Sequence, residues 1–243
     1  MTIRVSDRET SERFYETVLT TLDIRPVSAG ADAVRWEDFA IAPADDGAPV
    51  TRRLHIGFVA GSRAHVDAFW RAGIAAGHRD DGAPGPRPRY RSDYYGAFLL
   101  DPDANSAEAV HHGAMRADGV IDHLWIRVAD VAAATAFYET IAPHAGLSPR
   151  EATADHAWIT GASGSFSLVA GEPTEHVHMA FPAEDDATVD ALHRSALQAG
   201  YRDVAPPGER SVHGRDCYTA SMLDPDANTI EIVSRTRHDR RRA

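Results

Sequence analysis

The chain has 243 residues and a net charge of −11, with arginine as its only strong cation. That length accommodates one or two domains with substantial cores. The acidic balance argues against the basic footprint of a nucleic-acid binder, and no apolar run approaches the roughly 18–20 residues that span a bilayer. Cys217 is the only cysteine, so no intrachain disulfide can form, and a reducing cytoplasm is expected. The N-terminus has no charged leader followed by an apolar stretch, so no signal peptide is expected. The bias towards alanine, arginine, glycine and proline is of the kind found in GC-rich bacterial genomes.

In chain order, Ile3 to Val5 reads as a strand, and 11–22 as a helix whose Phe14, Val18 and Leu22 share one face. Residues 36–41 and 53–59 read as strands. Ser62 is placed to cap a helix carrying the apolar stripe Val66, Phe69, Trp70 and Ile74, with Gly77 at its stop. Residues 79–92, rich in proline, glycine and arginine, read as a loop. Strands at 94–100 and 106–110 flank an Asp-Pro-Asp-Ala-Asn turn, and 111–119 is a linker containing His111 and His112, expected to be solvated. The second half predicts a strand at 123–128, a helix at 130–141, and strands near 156–160, 165–170 and 176–181. Beyond these come a helix at 187–199, ended by Gly200, and strands at 216–223 and 229–234.

The two halves are copies. Leu54-His55-Ile56-Gly57-Phe58 matches Val177-His178-Met179-Ala180-Phe181, and the turn with its following glutamate recurs, Asp101 to Glu108 against Asp224 to Glu231. Both matches have the same offset: 178 − 55 = 123 and 231 − 108 = 123. That repeat implies a first module over 1–115, a second over 119–236 and a disordered basic tail over 237–243.

In the second module His123, His178 and Glu231 each interrupt a strand on the face opposite its apolar residues. A single histidine on a strand is ordinarily structural. Two imidazoles and a carboxylate converging from separate strands form a facial metal triad with open positions for substrate and water. Fe, Mn, Zn, Ni or Co would all suit such ligands.

The patterns Asp-His-Leu-x-Ile-Arg-Val…Phe-Tyr-Glu, His-Met-Ala-Phe and Asp-Pro-Asp-x-Asn-x-x-Glu resemble the vicinal oxygen chelate superfamily. It includes glyoxalase I, fosfomycin-resistance enzymes, extradiol dioxygenases, epimerases and bleomycin-binding proteins. The resemblance covers nearly the whole chain, twice. It implies an α+β fold of tandem modules, each of paired βαβββ units, with a mixed sheet curled around a metal cleft. It also implies a divalent-metal enzyme that chelates adjacent oxygens of a small substrate; a protein that sequesters a drug without chemistry is the alternative.

The first module has His55 and Glu108 where the second has His178 and Glu231, but the counterpart of His123 would fall at position zero. Either a ligand has been lost, the reading preferred here, or the start of the chain is mis-assigned. Members of the superfamily build their sites within modules or between exchanged half-modules. The first arrangement gives His123, His178 and Glu231 and is preferred because it needs only local pairing. The second gives His123, His55 and Glu108.

Extradiol relatives carry a tyrosine ten residues before the final glutamate, and here that position is Ser221. Glyoxalase I supplies a glutamate on a strand between the first two ligands, and none appears around 156–160. Trp125 and Arg127 share a strand face with His123 and are candidates for holding substrate. His176, Arg127 and Ser221 are the candidate catalytic side chains. The expected partner is a small-molecule substrate, with no nucleic acid or membrane, and the protein a monomer or homodimer.

Overall fold

The computed structural model describes residues 1–116, 118–150, 152–161, 164–212 and 215–235; the tail expected over 237–243 lies outside them. In chain order the elements are β1 (Thr2–Val5), α1 (Arg8–Leu19) with a 3₁₀ turn (Thr20–Leu22), β2 (Ser28–Ala29), β3 (Val34–Trp36), β4 (Phe39–Pro43), β5 (His55–Val59) and α2 (Arg63–Ala75). These are followed by β6 (Arg79–Pro86), β7 (Tyr95–Leu100), β8 (Ser106–His111) and β9 (Ile121–Val128). The remainder is α3 (Val131–Ala145), β10 (Leu147–Pro149), β11 (His156–Gly161), β12 (Gly164–Ala170), β13 (His178–Ala183), α4 (Asp186–Gln198), β14 (Asp203–Val212), β15 (Arg215–Leu223) and β16 (Thr229–Ser234). The strands form two eight-stranded mixed sheets, the α+β class that the resemblance implies.

The chain divides into two compact units, one built on Met1–Ile126 with Thr174–Val177, the other holding most of the chain from Arg127 onward. In the first unit β5 runs parallel to β8, β8 antiparallel to β7, and β7 antiparallel to β6. On its other side β5 pairs antiparallel with β9. The strand that opens the second repeat therefore belongs to the first unit, and the units do not coincide with the repeats. Helix α1 starts on Asp7, whose carboxylate caps the Thr10 amide, and buries Phe14, Tyr15, Val18 and Leu19 completely. Tyr15 meets Phe39 at 4.9 Å, and Phe39 meets Phe58 edge-on at 5.1 Å. In the second unit β13 runs parallel to β16, which pairs with β15 and β15 with β14. Helix α3 buries Phe137, Tyr138 and Ile141 there, and α4 buries Val189 and Leu192.

Three local expectations need correction. The segment from Arg79 is the edge strand β6, not a loop, and its counterpart β14 is also a strand. Pro84, Pro206 and Pro207 fall where the pairing slips at bulges, and Pro86 ends an edge strand, so the missing amides are tolerated. Residues 36–41 are a hairpin rather than one strand, turned by Glu37 at φ 52°. His176 sits before β13 at φ 57°, on left-handed backbone, so it does not share a strand face with His178.

The repeated turn fixes how β5 and β8 meet. Asp101 Oδ1 accepts the amides of Asp103 and Asn105, while Oδ2 accepts the Tyr15 hydroxyl at 2.9 Å. Asn105 Oδ1 accepts the amide of Leu54, and its Nδ2 donates to the Thr51 carbonyl. That side chain pins the residue before His55 to the start of β8. Asp224 accepts the amides of Asp226 and Asn228 in the same way.

Candidate metal centre

Strand pairing brings the polar residues of β9, β5, β8 and β7 onto one face. Across this sheet Gly57 is opposite both His123 and Glu108, Phe98 is opposite Glu108, and His55 is opposite Trp125 and Ser106. Residues directly opposite share a face. His55 Nε2 lies 3.0 Å from Glu108 Oε2 and 3.3 Å from His123 Nε2, and His123 Nε2 lies 3.4 Å from Glu108 Oε2. Among the described residues this is the group of three or more metal-ligand side chains that the fold gathers.

The two glycines of this face make the approach feasible. A Cβ on Gly57 would run into the His123 ring, and one on Gly96 into Glu108 Oε1. Each ligand is held from behind. Asp122 Oδ2 lies 2.9 Å from His123 Nδ1 and 3.3 Å from Nε2 of the buried His112. Ser106 Oγ donates to Asp81 Oδ2 at 2.7 Å and so faces His55 Nδ1, 3.1 Å away, as an acceptor. The Tyr94 hydroxyl donates to Glu108 Oε1 at 2.8 Å. With an ion bound, both imidazoles would carry their proton on Nδ1 and turn an Nε2 lone pair inward, with Oε2 as the third inward donor to the ion.

A β-bulge delivers Asp122. Gly57 pairs with His123, yet Phe58 pairs with Ile121, so Asp122 is the extra residue. Simple alternation would put its side chain on the opposite face from His123, and the bulge re-aims it.

Electrostatics reflect two imidazoles and two carboxylates held together in a poorly solvated place. Burial pushes Glu108 up, but hydrogen bonds and charge from His123 and His55 bring it below the usual carboxylate range. Asp122, pushed up by burial, is likewise brought well down by His112 and His123. Burial lowers His123, but its contacts with Asp122 and Glu108 outweigh that and raise it to about 9. The centre calls for positive charge. Two ligands about 2.1 Å from one ion are about 3.0 Å apart at a right angle and about 3.4 Å apart at the tetrahedral angle. The observed spacings lie in that range, and the donor set fits a divalent ion.

Of the within-module set, His123 lies in the first unit and His178 and Glu231 in the second. His178 Nε2 meets Glu231 Oε2 at 3.0 Å within the second unit, and among the described residues no third ligand-type side chain joins them. The reason is topological: β9 takes β5 as its partner, so His123 completes the pair of the first repeat. Ser221 lies opposite Glu231 on β15, away from the His55–Glu108–His123 group in sequence and unit. Arg127 is exposed in the second unit, and His176 is exposed, its carbonyl accepting the Thr51 hydroxyl. Trp125 does stand beside the group, its ring 5.4 Å from that of His55. Asp122, Tyr94 and Ser106 were not singled out as site residues by sequence reasoning. His112, expected to be solvated, is buried against Asp122 and stacked on Tyr94. The only signal for Asp122 was its place beside His123; Tyr94 and Ser106 had none.

Four βαβββ units, two in each repeat, with a His–Glu–His group drawn from β5, β8 and β9, make the architecture that the resemblance to the vicinal oxygen chelate superfamily implies. Residues 120–232 match the Glyoxalase/Bleomycin resistance protein/Dioxygenase superfamily. A single-site variant of glyoxalase I from Zea mays is 18% identical with a TM-score of 0.69, the match covering 99% of this chain and 92% of that one. The unsubstituted Zea mays glyoxalase I is 16% identical, with a TM-score of 0.64 over 99% and 92%. A candidate dioxygenase from Bacillus subtilis is 14% identical, with a TM-score of 0.64 over 97% and 84%. At these identities the likeness is one of fold. No curated protein matches the sequence. The second repeat thus resembles the glyoxalase/bleomycin resistance/dioxygenase superfamily in sequence, and the whole chain has the fold of the two-module glyoxalase I.

Proposed function

We propose that the protein is a divalent-metal-dependent enzyme that acts on a small substrate through two adjacent oxygen atoms. His55, Glu108 and His123 are its protein ligands. The observation that carries this reading is the inward convergence of two Nε2 atoms and one Oε2, each with its other polar atom already engaged. When bound, the ion supplies Lewis-acid stabilisation of negative charge developing on the substrate oxygens. Three protein ligands leave positions open for those oxygens. The chain's own residues do the rest. Asp122 and Ser106 orient the two imidazoles and keep their Nδ1 protons, and Tyr94 keeps Glu108 from swinging to a bidentate pose. The ten-before-glutamate position is Phe98 for Glu108, as it is Ser221 for Glu231, so neither supplies the tyrosine of the ring-cleaving relatives. Neither β11, the strand over 156–161, nor β12 carries a carboxylate, so the glutamate of a four-ligand glyoxalase has no counterpart on them. All three ligands come from one chain, so the centre needs no second copy.

Elemental analysis of the purified protein, beside His55→Ala, Glu108→Gln, His123→Ala and His178→Ala, tests this. About one metal ion per chain is expected, lost in the first three variants and kept in the fourth. Loss in His178→Ala with retention in His55→Ala would overturn the ligand set. A wild type that takes up no metal on reconstitution would leave a non-catalytic sequestering protein as the better account.

A further inference from the structure

We infer that the substrate is a planar, conjugated organic anion, held flat between aromatic side chains and recognised by two arginines of the turn after β6; this rests on the metal-centre reading. Rings surround the group of ligands. Phe98 lies 5.9 Å from His55, Trp125 lies 5.4 Å from it on the other side, and Tyr90 meets Trp125 edge-on at 5.4 Å. Tyr90 then reaches Tyr94 at 5.1 Å, and Tyr94 is bonded to Glu108. The circuit closes because Phe98 is the cross-strand partner of Glu108.

These rings are not simply core. Tyr90, Phe98 and Trp125 are half-exposed, whereas the aromatic residues packed under α1 are fully buried. Aromatic faces left partly wet around a polar centre are the surface a flat π-system covers best, by offset stacking or edge contact. Aliphatic substrates gain less from them.

The charge comes from the turn at 87–94, closed by Arg87 N to the Tyr94 carbonyl and Tyr90 N to the Arg87 carbonyl. The Arg87 guanidinium lies over the Phe98 ring, 5.3 Å from its centroid, and its hydrogen bonds go to the carbonyls of Ala83 and Pro86. The Arg89 guanidinium lies over Tyr90 at 4.6 Å and donates to the Tyr90 hydroxyl. Neither forms an ion pair among the described residues, although acidic side chains outnumber arginines 36 to 25. Arg91, between them and β7, does pair with Asp93. Two cations stacked on site aromatics and balanced only by neutral oxygens are placed to meet an anionic group on the ligand. The two adjacent oxygens would face the metal ligands, and a further carboxylate the arginines.

Calorimetric titration of the Mn(II)-loaded protein and the metal-free protein tests this with three probes: 3,4-dihydroxybenzoate, catechol and lactate. In the loaded wild type, 3,4-dihydroxybenzoate is expected to bind at least tenfold tighter than catechol and lactate. In Arg87→Ala/Arg89→Ala the preference for the carboxylated ring over catechol should vanish, with metal content unchanged. Trp125→Ala should weaken both rings by tenfold or more and leave lactate as it was, and Trp125→Phe should restore most of the loss. Equal affinity for lactate and the rings, or a carboxylate preference surviving the double variant, would overturn the inference. If the wild type holds no metal yet still prefers the carboxylated ring through these arginines, the metal reading falls and this one stands.

Discussion

At the scale of single residues the centre depends on small side chains as much as on its ligands. Gly57 stands between His123 and Glu108 in the sheet register, and a methyl group there would collide with the imidazole. Gly57→Ala should therefore lower metal affinity at least tenfold, read by competition with a chelator, while far-ultraviolet dichroism stays as in the wild type. A metal affinity equal to the wild type would show that the His123 ring does not need its present place. Asp122→Asn tests the support from behind. An amide can still accept from His123 Nδ1 but has lost the charge, and outer partners of this kind are worth about 10–100-fold in metal affinity. An unchanged affinity would mean that Asp122 serves only the fold. Both residues can be read in the sequence as letters next to ligands; their roles depend on a bulge and a strand neighbour.

Elements are where the sequence speaks most clearly and also where it errs. Period-two alternation located β5, β9 and β13, and the helical spacing of apolar positions located α1 and α2, because both signals are local. The edge strands β6 and β14 were hidden by proline and glycine, which break the alternation that marks a strand but are tolerated at an edge with bulges. The turn between β7 and β8 was legible as a turn, yet its reach was not. Asn105 satisfies the Leu54 amide and the Thr51 carbonyl, both buried and far along the chain. Asn105→Ala should cost roughly 2–5 kcal/mol in urea unfolding, since it leaves buried polar groups unpaired. It should also loosen the His55–Glu108 pair, visible as weaker metal retention. A change below about 1 kcal/mol would show that water replaces the amide.

For the whole molecule, pH gives a test that does not touch the centre. Asp101 and Asp224 occupy the same position in the two copies of the turn, and burial, outweighing the amides that each accepts, raises each to about 6. A carboxyl raised above its unfolded value near 3.8 binds its proton more tightly in the native state. Its contribution to stability is fully present below about 3.8 and is lost as pH rises through 6. Against Asp101→Asn, which does not titrate, the wild type should gain about 1.4 kcal/mol between pH 7.5 and pH 5, one pH unit of linkage. A stability difference independent of pH would remove that claim. The lowered Asp122 and Glu108 run the other way, so the comparison with the variant, not the raw profile, isolates the effect.

By itself the sequence determined that the chain is a repeat, where the helices and most strands of each copy lie, and which side chains can serve as ligands, because residue spacing and chain identity are local properties. Only the tertiary structure decided which histidine and glutamate join His123. Alternation states which face a side chain takes, but not which strand lies alongside, and β9 could in principle complete either copy's histidine–glutamate pair. Its antiparallel pairing with β5 selects His55 and Glu108, and the bulge at Asp122 sets the histidine that completes them.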